Sequence, residues 1–354
     1  MKKIPLFVMA GVLITSLVLS GCGTTATSAS AASGSNVKEP DTITVAWLPN
    51  NSGDNEKALR VEFDKVIADA TGKKVEDKLT TDYNIAIAAL ENGDAQLGWF
   101  GPNEYMVSHA KDPKVIPLVV ESGDSGSLKD ALYHSRLLVK KGNEDQYKSG
   151  GTYAIDNIAG KKISFVSTSS TSGFNMPAAA ITGYFTKQDK WKNLTKDDLM
   201  QGGSGKFFNQ VIFSGSHQLS LVNLLMGKVD VAAVDDIDVS QYLTPVSGTD
   251  NTEGAVYAVK QGAAAPFDKL AGQQFVIIKS IPVLNTPLEA NSAFLSQKTL
   301  DAITQALTSD KVTNDPKIFA PKGSDGVVFV QPHRFLKVED SWYDPMRQVL
   351  GIPK

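Results

Sequence analysis

The 354-residue chain has one cysteine, Cys22, and four histidines. A disulfide framework is excluded, and with it a cysteine-built metal site. His109, His134, His217 and His333 are scattered without ligand spacing, so neither a metal nor a cofactor site is expected. Beyond Leu19 no apolar run reaches the roughly 20 residues of a spanning helix. Basic residues are dispersed, with no Lys/Arg run interleaved with aromatics, which argues against nucleic acid as a partner.

What is present begins at the N-terminus. Lys2 and Lys3 give a cationic start, residues 4–19 are almost all apolar, and the run closes in Leu19-Ser20-Gly21-Cys22. This has the three-part build of an export signal. The small pair before a lone cysteine resembles the lipobox of bacterial lipoproteins, which implies a lipid on Cys22 and a place on the outer face of the cell membrane. Residues 1–22 are then signal, and the Gly/Thr/Ala/Ser-rich stretch 23–41 reads as a flexible tether. Without Lys2 and Lys3, 33 basic residues stand against 38 acidic ones. More than 300 residues remain, enough for two domains.

Order is expected from Ile43, where Ile43-Thr44-Val45-Ala46-Trp47-Leu48 reads as a buried strand ending in Pro49-Asn50-Asn51. Leu59, Phe63, Val66, Ile67 and Ala70 then fall at helical spacing up to Gly72. Strand and helix alternate through Glu121, which argues for parallel strands covered by helices. A Gly/Ser/Asp-rich segment precedes the apolar run Tyr133 to Lys140, read as a crossing into a second domain. Gln274 to Lys279 is read as the crossing back. The expected division is lobe 1, residues 42–132 plus 280–354, and lobe 2, residues 133–279. Two such lobes form a clam shell with the ligand between them.

Four features carry the chemistry. Ser167-Thr168-Ser169-Ser170-Thr171-Ser172-Gly173 follows an apolar strand and opens a helix, where first-turn amides lack intrahelical partners. Hydroxyls beside such amides suit a small oxyanion, while ordinary N-capping accounts for one of them. Ser214-Gly215-Ser216-His217 repeats the arrangement with an imidazole in the first turn. Trp47, Tyr83 and Tyr105 stand at strand ends or helix starts, where hydroxyls donate and aromatic faces exclude water; Trp99 reads as core. Asp235 and Asp236 follow an apolar strand, where they can cap the helix that comes next.

Gly93-Asp94-Ala95-Gln96-Leu97-Gly98-Trp99-Phe100-Gly101-Pro102, Ser170-Thr171-Ser172-Gly173, Ser214-Gly215-Ser216-His217 and Gly227-Lys228-Val229-Asp230 occur in this order. The chain thereby resembles the phosphate/phosphite/phosphonate-binding proteins of ABC importers from about Ile43 onward. The resemblance implies an α/β, two-lobe type II periplasmic-binding-protein fold with two mixed sheets flanked by helices and joined by two hinge strands. It implies binding of a small phosphorus oxyanion through Ser170, Thr171, Ser172, His217, Tyr83 and Tyr105, with Trp47 lining the cleft. It also implies a monomer that serves a membrane permease with ATPase subunits. Amine-binding family members hold the ammonium with two carboxylates, and the resemblance implies Asp235, Asp236 or Asp238 as one of these; in the place of the other this chain has Leu284-Asn285-Thr286-Pro287, which weighs against an aminoalkylphosphonate. Two alternatives stay open: a binding protein of the same fold for a non-phosphorus molecule, and a hydrolase with Ser170, His217 and Asp235 as a triad.

Overall fold

The structure, a computed structural model, describes residues 37–354 except 52, 54, 55, 322, 323 and 325–328. The signal, Cys22 and most of the tether lie outside the described residues. Among those described, no helix is long and apolar enough to cross a membrane.

The chain opens with β1 (Thr42–Trp47), α1 (Lys57–Thr71), β2 (Lys74–Leu79), α2 (Tyr83–Asn92), β3 (Leu97–Trp99), α3 (Pro102–Lys111) and β4 (Val115–Glu121). The αL residues Gly72 and Gly93 end α1 and α2, a conformation open to glycine because it has no Cβ. There follow β5 (Leu132–Lys140), β6 (Lys162–Phe165), α4 (Met176–Phe185), β7 (Gln210–Phe213), α5 (His217–Leu225) and β8 (Val231–Asp235). Then come β9 (Leu243–Ser247), β10 (Val256–Val259), β11 (Gln274–Leu284), β12 (Pro287–Asn291), α6 (Gln297–Leu307) and β13 (Phe335–Lys337), and a last helix covers Asp344–Leu350.

Among the described residues the two large sheets are ordered β13-β4-β12-β3-β1-β2 and β9-β10-β11-β5-β8-β6-β7. The alternating segments β1, β2 and β3 pair in parallel, as read. A purely parallel sheet, however, is not formed, because β12 returns from far along the chain and inserts antiparallel between β3 and β4. In the second sheet β8, β6 and β7 are parallel neighbours, whereas β5, β11, β10 and β9 alternate in direction. Both sheets are therefore mixed.

β5 and β11 pair from Leu132↔Leu284 to Lys140↔Phe275. Pro282 lies opposite His134, whose N–H and C=O both turn away to Asp236. The missing proline N–H thus leaves no gap in the ladder.

Side-chain alternation along each strand feeds two faces. In β1, Val45 and Trp47 face Phe63 of α1 and Ile303 of α6, while Ala46 faces Ala86 and Leu90 of α2. In the second sheet Phe165, Leu137 and Ala233 pack on Phe174 and Ile181, and Val234 and Leu138 pack on Leu221 and Leu224. Phe63 is fully buried, with ring centroids 5.9, 5.8 and 6.1 Å from Trp47, Trp99 and Phe335. Its truncation in Phe63→Ala is expected to remove about 3–5 kcal/mol of stability, read from urea unfolding. A loss below about 1 kcal/mol would show that this aromatic cluster is not the packed centre of its face.

Candidate functional site

Helix starts from both sheets point at one cavity. Asp82 caps α2 by accepting from Asn84 N, which sets Tyr83 as the first helical residue. Ser216 caps α5 by accepting from Leu219 N, which sets His217 at its start. Ser170 accepts from Gly173 N at the head of a wide turn, Thr171–Asn175, that runs into α4. Sequence spacing suggests a regular helix from Ser172; the wider turn instead closes Asn175 N on Ser170 O, and such π-type turns recur at functional sites.

The cavity holds about 60 Å³, several times the minimum of roughly 10–15 Å³ for one water. Tyr83, Ser170, Thr171, Ser172, His217, Asp235 and Asp238 line it, joined by Asn50, Asn51, Glu104, Tyr133 and Asn285. Among the described residues, no lysine or arginine lines it.

Three expected residues stand off the cavity. Trp47 stacks behind Trp99 and donates its indole N–H to Asp77 Oδ1 at 2.6 Å, because β1 neighbours the edge strand β2. Trp99 packs in the core as read, against Phe63, Phe329 and Phe335, and also borders the cavity. Tyr105 donates to Asp340 Oδ1 at 2.6 Å and packs on Tyr343. One residue along a helix is a turn of about 100°, so α3 presents Glu104 to the cavity and Tyr105 elsewhere. Asp236 accepts from His134 N at 2.8 Å and from Asn251 Nδ2 at 2.7 Å, since strand alternation turns it opposite to Asp235.

Burial sets the charge states. His217 Nδ1 accepts from Asp235 N at 2.9 Å, so the neutral ring carries its proton on Nε2, 3.4 Å from Ser172 Oγ and from Asp235 Oδ2. Desolvation lowers the His217 pKa to about 4, against pull from Asp238. It raises Asp235 to about 7, with help from Asp236, and lifts Asp238 well above the carboxylate range. One atom from each of His217, Asp235 and Asp238 lies within 4.8 Å of the others. His217 offers a cation no lone pair, since Nδ1 accepts from the Asp235 amide and Nε2 carries the proton. The same tautomer rules out the triad, in which Nδ1–H must donate to the acid; His217 also faces Ser172 rather than Ser170.

Tyr83 accepts from Asn50 Nδ2 at 2.7 Å, and its hydroxyl also hydrogen-bonds Ser170 in the cavity wall. Neutral donors thus converge: the Tyr83 hydroxyl, the Ser172 hydroxyl and His217 Nε2–H. Several bonds span the two cavity walls. His217 N donates to Asn50 Oδ1 at 3.1 Å, Gln218 Nε2 to Asn50 O at 3.3 Å, Asn103 Nδ2 to Ser169 O at 2.7 Å, and Ser169 Oγ to Asn84 Oδ1 at 2.8 Å. Asn50, Asn51, Glu104 and Tyr133 were not marked by sequence reasoning. The only sequence signal for the asparagines was their place at the end of β1.

Charge burial also fixes a pH trend. Glu56 is held up at about 8, and Asp64 at about 7, each first by desolvation, and Glu104 and Asp235 are likewise held at about 7. Between about pH 5 and 8 these acids keep protons in the folded chain that the unfolded chain has released, so stability falls as pH rises. His217 opposes this only between its ordinary 6.5 and about 4. Each net proton contributes about 1.4 kcal/mol per pH unit. Urea midpoints are expected to fall from pH 6.5 to 8; a rising midpoint would mean that these carboxyls are ionised in the fold.

Residues 45–343 match the family described as ABC transporter, phosphonate, periplasmic substrate-binding protein. The phosphate-import protein PhnD of Mycolicibacterium smegmatis is 28% identical over 200 residues. That match spans 56% of this chain and 56% of the relative, little more than half its length. Among solved structures, the binding-protein component of an ABC phosphonate transporter from Pseudomonas aeruginosa has a TM-score of 0.61 at 16% identity, covering 87% of this chain and 85% of that one. PhnD1 from Prochlorococcus marinus, in complex with methylphosphonate, also gives 0.61, at 15% identity over 88% and 97%. These structures share the type II periplasmic-binding-protein fold with this chain. The chain belongs to the phosphonate family of ABC-transporter periplasmic substrate-binding proteins, a binding family rather than an enzyme family.

Proposed function

We propose that the protein captures a small phosphorus oxyanion outside the cytoplasm and delivers it to the permease of an ABC importer. The observation that carries this reading is the convergence of neutral donors, Ser172, Tyr83 and neutral His217, on a cavity of about 60 Å³ that no described lysine or arginine lines. Donors of this kind replace the water of an oxyanion without a fixed counter-charge. Phosphate in the name of the Mycolicibacterium relative and methylphosphonate in the Prochlorococcus complex support the ligand class. Phosphonate, phosphite and phosphate are the candidates.

In this reading residues 42–132 plus 280–354 form lobe 1, residues 133–279 form lobe 2, and the paired strands β5 and β11 act as the hinge between them. Closure follows from ligand contacts that only the closed arrangement makes. Cys22 carries a lipid, residues 23–41 form the tether, and a monomer held at the outer face of the membrane presents ligand to the permease and its ATPases.

Thermal unfolding of the chain from Asn36 onward, with methylphosphonate, phosphite, phosphate or sulfate in excess, tests the ligand class. A ligand at a hundredfold excess over its Kd is expected to add about 2.7 kcal/mol. Ser172→Ala and His217→Ala are expected to lose most of that gain. A shift with none of the phosphorus anions would overturn the reading.

The anchor is tested separately. Cys22→Ser in the full chain is expected to abolish labelling by radioactive palmitate and to move the protein out of the membrane fraction. Unchanged labelling would place the lipid elsewhere.

A further inference from the structure

The N-terminus of α3 lacks a cap of its own. Gly101 occupies the cap position and has no side chain to offer. Thr171, from the opposite wall, fills that role: Asn103 N donates to Thr171 Oγ1 at 2.8 Å. Thr171 Oγ1 also lies 2.6 Å from Glu104 Oε2, and both atoms are buried. A Cβ on residue 101 would come within 2.5 Å of Thr171 Oγ1 and 2.6 Å of Glu104 Oε2, so glycine is what permits the pair to form.

A hydroxyl has one hydrogen and two lone pairs. With Glu104 ionised, the Thr171 hydrogen is committed to the carboxylate, and Thr171 has none to give an anion. With Glu104 protonated, the carboxyl donates to Thr171 Oγ1. The lone pairs are then filled by Glu104 and Asn103 N–H, and the Thr171 hydrogen turns to the cavity. We propose that Glu104 is a proton-linked positioning residue, whose uptake of one proton from water releases the Thr171 hydroxyl to donate to the bound oxyanion. This rests on the oxyanion reading of the cavity.

The surroundings favour the protonated form. Tyr83 from α2, Tyr133 from β5 and Glu289 from β12 face Glu104, all acidic groups held neutral by burial. Glu289 is wholly buried, with both carboxyl oxygens unpartnered by other protein atoms. Tyr105 on the same helix is turned to Asp340. Desolvation holds Glu104 at about 7, although backbone N–H groups of Glu104 and Thr171 and the Thr171 hydroxyl favour the carboxylate. Linkage makes the coupling reciprocal: if the proton aids the ligand, the ligand holds the proton.

The test is calorimetric titration with methylphosphonate from pH 5.5 to 8.5, in buffers of different ionisation enthalpy, on the wild type and Glu104→Gln. The glutamine amide can donate to Thr171 Oγ1 at every pH, so the comparison removes the ligand's own titration. Above about pH 7 the wild-type Kd is expected to weaken about tenfold per pH unit beyond any change in Glu104→Gln, with about one more proton taken up per ligand. Identical profiles and proton counts in the two proteins would overturn the role of Glu104 alone. Absence of binding by methylphosphonate, phosphite and phosphate to the wild type would overturn the oxyanion reading, and this inference with it. If Glu104→Gln fails to fold, a carboxyl-labelled NMR titration of the wild type decides: the Glu104 signal must stay protonated through pH 8 with methylphosphonate bound, and an ionised carboxylate there overturns the proposal.

Discussion

Desolvation is the constraint on which the site depends. The cavity lies between two closed walls, and the groups facing it have lost the water that would otherwise stabilise their charged forms. His217 is pushed to its neutral form, while Glu104, Asp235 and Asp238 are held above the ordinary carboxylate range and keep their protons up to about pH 7. A wall rich in titratable side chains thus becomes a wall of neutral donors and acceptors. Its chemistry is set by the direction of each hydrogen rather than by opposite charges.

Local rules aim those hydrogens. Asp82, Ser170 and Ser216 each take up a free amide at a helix start, and the residue next to the cap is thereby turned to the cavity. α3 is the exception, since its cap comes from the other wall. The packing of Trp47, Phe63 and Trp99 behind the first sheet, and of Phe165 and Phe174 beside the second, gives these helix starts fixed supports.

The parts of this arrangement that were legible in the sequence are the ones governed by neighbours along the chain. The hydroxyl tract and Ser216-His217 declared themselves because strand, cap and helix follow one another within a few residues. What depended on rotation or partnership across space did not. Glu104 and Tyr105 are adjacent, and only the setting of α3 decides which one meets the cavity. Trp47 and Trp99 both end apolar strands, and their roles separate through the strand order, with β1 beside the edge strand and β3 further in. The insertion of β12 between β3 and β4 pairs residues about 170 to 190 positions apart in sequence, which no local pattern encodes. Tyr133 was read as part of a crossing strand, and its place in the wall follows from the register of β5 against β11.

The bonds from Asn50 to His217 and Gln218, from Asn103 to Thr171 and Ser169, and from Ser169 to Asn84 join the two walls directly. Each of them must break before the walls can separate. They hold the walls together by contacts that owe nothing to a ligand, and any ligand contact adds to that hold. Seam and interior are thus served by different residues, the asparagines at the seam and the hydroxyls within.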